Sequence, residues 1–272
     1  MTAKLKHLAI VSENFDIEGR FYEALFGMRT FEGTKPEASA VAFTDGYVGM
    51  NINGRKAGRQ AGFDHFGFEV DDAERVFARA KESYPQVEWL KRPSNRPFAG
   101  ISMNDPAGYV FDLSQRGMEN RDNVYKMTEE RPVERTTRHV SHFQLKAVDP
   151  GLLATFYTDL FDLEEVEQTP KNEFHLSDGT VTMVIAPWHI TDYEGSGIER
   201  PAPEHIGFEV ESLDQFRKDL DALCEKNYRL RPSPVGSGPE GSARLKLFQG
   251  CRYGQYHLAD PDGVFIDVSE AK

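Results

Sequence analysis

Three side chains able to bind a metal recur in this chain in the same order, twice. The segment His-x-Gly-Phe-Glu-Val occurs as His65–Val70 and again as His205–Val210. An Asp-Pro-x-Gly turn follows each copy, then an aspartate within an apolar stretch: Asp105–Gly108 with Asp112, and Asp260–Gly263 with Asp267. A histidine opens an alternating segment ahead of each copy, His7 in one and His142 in the other. Two neutral imidazoles and one carboxylate leave coordination positions open, the donor set for a divalent metal that does chemistry.

The offset between copies is 135 for the first histidine (142 − 7), 140 for the second (205 − 65) and 155 for the aspartate (267 − 112). Growing offsets with fixed order indicate a duplicated domain that gained insertions in its second copy. Arg20–Gly27 answers Thr155–Asp162, again at 135. The period is far longer than that of a solenoid repeat. The expected organisation is an N-terminal module over 1–115, a polar connection over 116–137 with a short helix near Val124–Met127, and a C-terminal module over 138–272.

Each module reads in the same order. A strand (His7–Ser12; His142–Val148) leads to an amphipathic helix, then to short strands with turns at Asp45-Gly46 and Asp178-Gly179. The His-x-Gly strand follows, then a second helix (Ala73–Glu82; Leu213–Lys226) and further strands ending at Tyr109–Ser114 and Val264–Ser269. The pattern predicts an α+β fold of two tandem modules. Each would contain paired βαβββ units forming a curved sheet cup, with helices on the outer face. Alternate strand residues share a face. Ile206, Phe208 and Val210 therefore point away from His205, and Phe143, Leu145 and Ala147 away from His142. The donors collect on the face that the helices do not cover. A solvent-exposed face would show the same polar alternation.

A net charge of −12 disfavours nucleic acid and anionic membranes as partners. No apolar run approaches the ~18 residues of a spanning helix. The segment Met1–His7 has no apolar leader region, and Cys224 and Cys251 form no disulfide framework; both read as ordinary thiols. The expectation is a cytoplasmic protein. A homo-oligomer is compatible with the sequence, which does not fix the state.

These landmarks resemble the vicinal oxygen chelate superfamily of glyoxalases, extradiol dioxygenases, small epimerases and bleomycin-resistance proteins. The resemblance rests on His7, His65, Asp105-Pro106-x-Gly108 and Asp112, and on His142, His205, Asp260–Gly263 and Asp267. It implies a metal cup in each module. Glyoxalases add a glutamate on a strand before the second histidine, but Val48–Ile52 and Met183–Pro187 contain no carboxylate. The two-module extradiol dioxygenases fit better, with Fe(II), an aromatic diol and O2. Mn, Ni, Co or Zn in an isomerase or lyase, or a binding protein without turnover, remain alternatives. The resemblance implies His142, His205 and Asp267 as the active metal set; His7, His65 and Asp112 read as a vestigial or structural counterpart, with metal binding there left open. It departs in using aspartate where the family has glutamate. It also has His257, beside Tyr256, where the family places a tyrosine; the first copy has Ser102 there. His257 or Tyr256 is then the proton shuttle. One of the two should face the cup, since strand neighbours point opposite ways. His189 is expected near the mouth, His139 and His175 at surface or structural positions, and the Gly/Ser/Pro-rich Ser233–Gln249 as a lid loop.

Overall fold

The computed structural model describes residues 3–30, 40–92, 98, 100–116, 134–169, 171–196, 201–236 and 238–271. The short helix expected at Val124–Met127 lies outside them. The first sheet comprises β1 (Lys4–Ser12), β2 (Ala40–Thr44), β3 (Gly49–Gly54), β4 (Gly62–Val70), β5 (Trp89–Lys91), β6 (Ile101–Asn104) and β7 (Val110–Gln115), in the order β2-β3-β1-β4-β7-β6-β5. The second comprises β8 (His139–Ala147), β9 (Glu164–Thr169), β10 (Glu173–Ser177), β11 (Thr182–Pro187), β12 (Pro203–Val210), β13 (Tyr256–Ala259) and β14 (Phe265–Glu270), in the order β13-β14-β12-β8-β11-β10-β9. The helices are α1 (Phe15–Phe26), α2 (Ala73–Ser83), α3 (Pro150–Phe161), α4 (Ile190–Ser196), α5 (Leu213–Lys226) and α6 (Gly238–Gln249). Among the described residues no helix is long and apolar enough to cross a membrane.

Two of the four units are complete βαβββ repeats, β4–β7 with α2 and β8–β11 with α3. Among the described residues of the first unit, a single bridge, Arg29 to Thr44, stands between α1 and β2. In the last unit α6 occupies the stretch expected as a loop. The reason is local: Gly236, Gly238 and Pro239 cluster at its start, whereas Ala243–Gln249 are good helix formers, and proline is tolerated in a first turn.

The two modules clasp each other reciprocally. Tyr22 on α1 donates to Asp260 Oδ2 at 2.9 Å, and Tyr157 on α3 donates to Asp105 Oδ2 at 2.8 Å. The other oxygen of each aspartate accepts backbone N–H groups of its own turn, from Gly263 and Val264 or from Ala107 and Tyr109. The Asp-Pro-x-Gly motif is thus a turn that also anchors the other module. Phe26 stacks on Phe208 at 3.9 Å and Phe161 on Phe68 at 4.1 Å. The hairpin aspartates act alike: Asp45 accepts from Val140 N and Asp178 from Leu5 N. The apolar faces of both sheets and the helices form one continuous buried core. This leaves the histidine faces pointing away from it.

One residue breaks the symmetry. Glu18 on α1 takes the place that Leu153 holds on α3, and both are fully buried. Burial, followed by the neighbouring Asp260 carboxylate, pushes Glu18 far above the usual carboxylate range. The folded chain keeps Glu18 protonated while the unfolded chain ionises it above about pH 4.5, so this residue lowers stability progressively as pH rises beyond that value. Glu18→Leu is expected to stabilise the protein by about 1–3 kcal/mol at pH 8. The gain should be smaller at pH 5 in urea unfolding; equal gains at both pH values would contradict this.

Candidate metal centre

Strand register assembles the site in the C-terminal module. Gly207 on β12 pairs with His142 on β8 and, on its other side, with Asp267 on β14. Asp267 pairs in turn with His257 on β13. These four positions form one row across the sheet, and His205 lies two residues along β12. Gly207 is required by this packing: a Cβ there would lie 1.8 Å from the His142 ring. That is the physical content of the His-x-Gly motif.

The donors converge. Asp267 Oδ2 lies 3.3 Å from His205 Nε2 and 3.7 Å from His142 Nε2. Two donors bound about 2.1 Å from one ion at ordinary angles stand about 3.0–3.4 Å apart. All three side chains are almost fully buried, and among the described residues His142 Nε2 and Asp267 Oδ2 have no hydrogen-bond partner. Buried polar atoms without partners demand an explanation, and a bound cation supplies one. The shorter aspartate reaches. Its Oδ1 accepts from His257 Nδ1 at 2.5 Å, which turns Oδ2 toward the histidines.

Electrostatics follow from this packing. Burial holds His142 below the ordinary histidine range. Burial also opposes charge on His205, but Asp267 and Glu204 outweigh it and raise the residue to about 9. Burial opposes ionisation of Asp267 too, yet His205, His142 and His257 hold it well below the usual range. A buried carboxylate facing two imidazole nitrogens is an arrangement that a bound cation would complete.

The surrounding groups were less visible in sequence. A register shift in β12 makes Glu204 a bulged residue, so it shares the cup with His205 rather than pointing away. Glu204 Oε2 accepts from His205 Nδ1 at 3.2 Å and from Gln144 Nε2, fixing the imidazole that offers Nε2 inward. Asp64 does the same for His65 at 2.7 Å, also at a bulge. The available signal was the acidic residue directly before each histidine. Cys251, expected as an ordinary thiol, places its sulfur within 4.8 Å of donors of Glu204 and His205. Burial, reinforced by Asp267 and Glu204, pushes this thiol up. Tyr253 lies over the His142 ring at 4.8 Å and pairs through its hydroxyl with His175 Nδ1 at 2.9 Å. A Cβ at Gly254 would lie 2.5 Å from the Asp267 carboxylate. Cys251–Gly254, the segment after α6, therefore covers the cup.

Of the two proton-shuttle candidates, the structure brings only His257 to the site. Tyr256 packs against Phe216 and beneath Arg217 on the helical face, as alternation on β13 requires. His175 is fully buried, not superficial, and bonds Glu173 at 2.6 Å. His189 is exposed, and His139 pairs with Glu209 at 3.5 Å.

The N-terminal module repeats the row as Ser102, Asp112, Gly67 and His7. His7, His65 and Asp112 also lie within 4.8 Å of one another. Here, however, His7 Nε2 and His65 Nε2 bond each other at 3.3 Å, and Phe98 stacks on His7 at 4.7 Å.

Residues 139–268 match the family profile described as Glyoxalase/Bleomycin resistance protein/Dioxygenase superfamily. No curated protein matches the chain significantly. Solved structures with this fold include the 2,3-dioxygenase LapB from Pseudomonas sp. KL28, at 17% identity and TM-score 0.65, covering 100% of this chain and 93% of that one. The Mn(II)-bound glyoxalase from Novosphingobium aromaticivorans is similar at 14% identity and TM-score 0.64, with coverage of 99% and 82%. Homoprotocatechuate 2,3-dioxygenase from Arthrobacter globiformis is similar at 15% identity and TM-score 0.61, with coverage of 99% and 80%.

Gly207→Ala is expected to displace the His142 ring and weaken divalent-metal binding at least about tenfold, with the fold retained by circular dichroism. Unchanged metal affinity would show that His142 does not depend on that gap.

Proposed function

We propose that this chain, whose residues 139–268 belong to the glyoxalase/bleomycin resistance protein/dioxygenase superfamily, is an extradiol-type dioxygenase. It would use Fe(II) in its C-terminal module to cleave a catechol-like aromatic diol with O2. The observation that carries the reading is the convergence of His142 Nε2, His205 Nε2 and Asp267 Oδ2, two of them buried without another partner.

Those three atoms would hold the metal. When bound, Fe(II) supplies a Lewis acid that lowers the pKa of adjacent substrate hydroxyls and a one-electron donor able to engage O2. The donor count favours this chemistry over a glyoxalase. The β11 residue paired with His142 is Thr182, followed on the same face by Val184 and Ala186, so the neighbouring strand contributes no fourth carboxylate. Glu204 and Gln144 hold the His205 ring in its inward orientation. His257 steadies Asp267 through Nδ1, and its other ring nitrogen is assigned as the proton shuttle. Cys251–Gly254 restrict water, which strengthens every charge interaction beneath them.

Anaerobic loading with Fe(II), followed by oxygen-electrode assays on a panel of catechols, tests the reading. One O2 consumed per diol, with a coloured ring-fission product, is the expected result, and His205→Ala should abolish it together with metal content. Glu204→Gln should retain the chemistry but weaken metal binding about 10- to 100-fold. Turnover of a non-aromatic substrate with Mn or Ni, without O2 uptake, would replace the dioxygenase by an isomerase or lyase. Stable ligand binding with no metal would make the chain a binding protein.

A further inference from the structure

The two triads are copies, yet their surroundings differ in one direction. Position for position, Ser102 stands for His257: both sit opposite the site aspartate on the adjoining strand. Ser102 donates to Asp112 Oδ1 at 2.5 Å and itself accepts from Arg92 Nε. The Arg92 guanidinium also lies 3.5 Å from the same carboxylate oxygen. The N-terminal aspartate therefore carries a permanent counter-ion, whereas among the described residues the ion pairs of Asp267 are with imidazoles.

Phe98 stands for Tyr253, each lying over the first histidine at 4.7 and 4.8 Å. Their spacing of 155 (253 − 98) equals that of the two aspartates. The ring does more than cover. The gap above Gly207 is filled by the His142 imidazole itself, while a Cβ on Gly67 would meet Phe98 Cε1 at 2.8 Å, the Asp112 carbonyl oxygen at 2.9 Å and the His7 Cβ at 3.1 Å. His7 Nε2 and His65 Nε2 bond each other at 3.3 Å beneath this ring. The outer carboxylate differs as well: Arg59 grips both oxygens of Asp64 at 2.6 Å, while Lys146 stands 4.0 Å from Glu204. The N-terminal donor set is the right one, but its surroundings do not fit a cation.

We propose that the N-terminal triad is a latent metal site held empty of cations by Arg92, so that the native chain binds a single metal, in its C-terminal module. A divalent ion at Asp112 would have to share one carboxylate with a guanidinium that cannot lose its proton. Like charges at such separations inside a protein repel strongly. Removing the guanidinium should tighten N-terminal binding on the order of 100-fold or more. Phe98 and the His7–His65 contact are packing features that a bound ion can rearrange; the fixed charge is not.

This inference rests on the reading of the C-terminal triad as the metal centre, and one experiment separates the two. The full-length chain is stripped with chelator and dialysed against Mn(II), and metal per chain is counted by elemental analysis. The wild type is expected to hold one, Arg92→Met two, and Arg92→Met with His65→Ala one again. His205→Ala in the wild-type background should hold none. Arg92→Gln, which keeps a polar partner for Ser102, serves as a second variant in case Arg92→Met does not fold. Two metals in the wild type, or one in both folded Arg92 variants, would overturn the role given to Arg92. No metal in the wild type but one in Arg92→Met would instead sink the C-terminal reading and leave that role standing.

Discussion

Everything in the C-terminal module depends on one missing side chain. The row His257–Asp267–Gly207–His142 crosses four strands, and at its centre the His142 imidazole occupies the space a β-carbon on residue 207 would fill. Sheet register supplies the alignment and Gly207 supplies the hole. The remaining donor, His205, enters from two residues along the same strand. The site is thus a property of sheet backbone geometry, built on rigid elements, which is how a three-donor centre keeps its shape before a ligand arrives.

Duplication gives the same backbone twice and shows what side chains alone can change. The modules share register, tyrosine–aspartate clasps and hairpin aspartates that each cap the other module's first strand. Their cups nevertheless differ in electrostatic character. One concentrates buried imidazoles around Asp267; the other adds a hydroxyl and a guanidinium to the imidazole facing Asp112, and a phenyl ring over His7. Because the cups face away from the common core, such divergence costs the fold little. The clasps lie at the core, and both copies have kept them.

The residues that make the cup were legible because they obey period-two alternation on strands with large apolar partners. Ile206 and Phe208 fix the direction in which His205 points, and Phe143 and Leu145 do so for His142. The same rule separates His257 from Tyr256. What escaped notice are residues whose direction is set by irregularity or by chain distant in sequence. Glu204 breaks alternation at a bulge, which no local pattern encodes, although the acidic residue before each histidine was a usable sign. Tyr253 and Cys251 follow a helix that glycine and proline content had disguised as a loop. Their approach to His142 and His205 is a tertiary fact. Arg92 reads as one more surface cation until β5 and β6 bring it beside Asp112.

Likeness in fold, at 12–17% identity, leaves the reaction to be argued from the site itself. What the site offers is a buried, three-atom cradle, with the His205 ring held from behind by Glu204 and the His142 ring bonded by Ser141. The most direct test is where a metal sits. Crystals of the full chain grown with Mn(II) and measured for anomalous scattering should show a peak bounded by His142 Nε2, His205 Nε2 and Asp267 Oδ2. A peak elsewhere, or an empty cradle in crystals whose protein demonstrably carries the ion, would contradict the account.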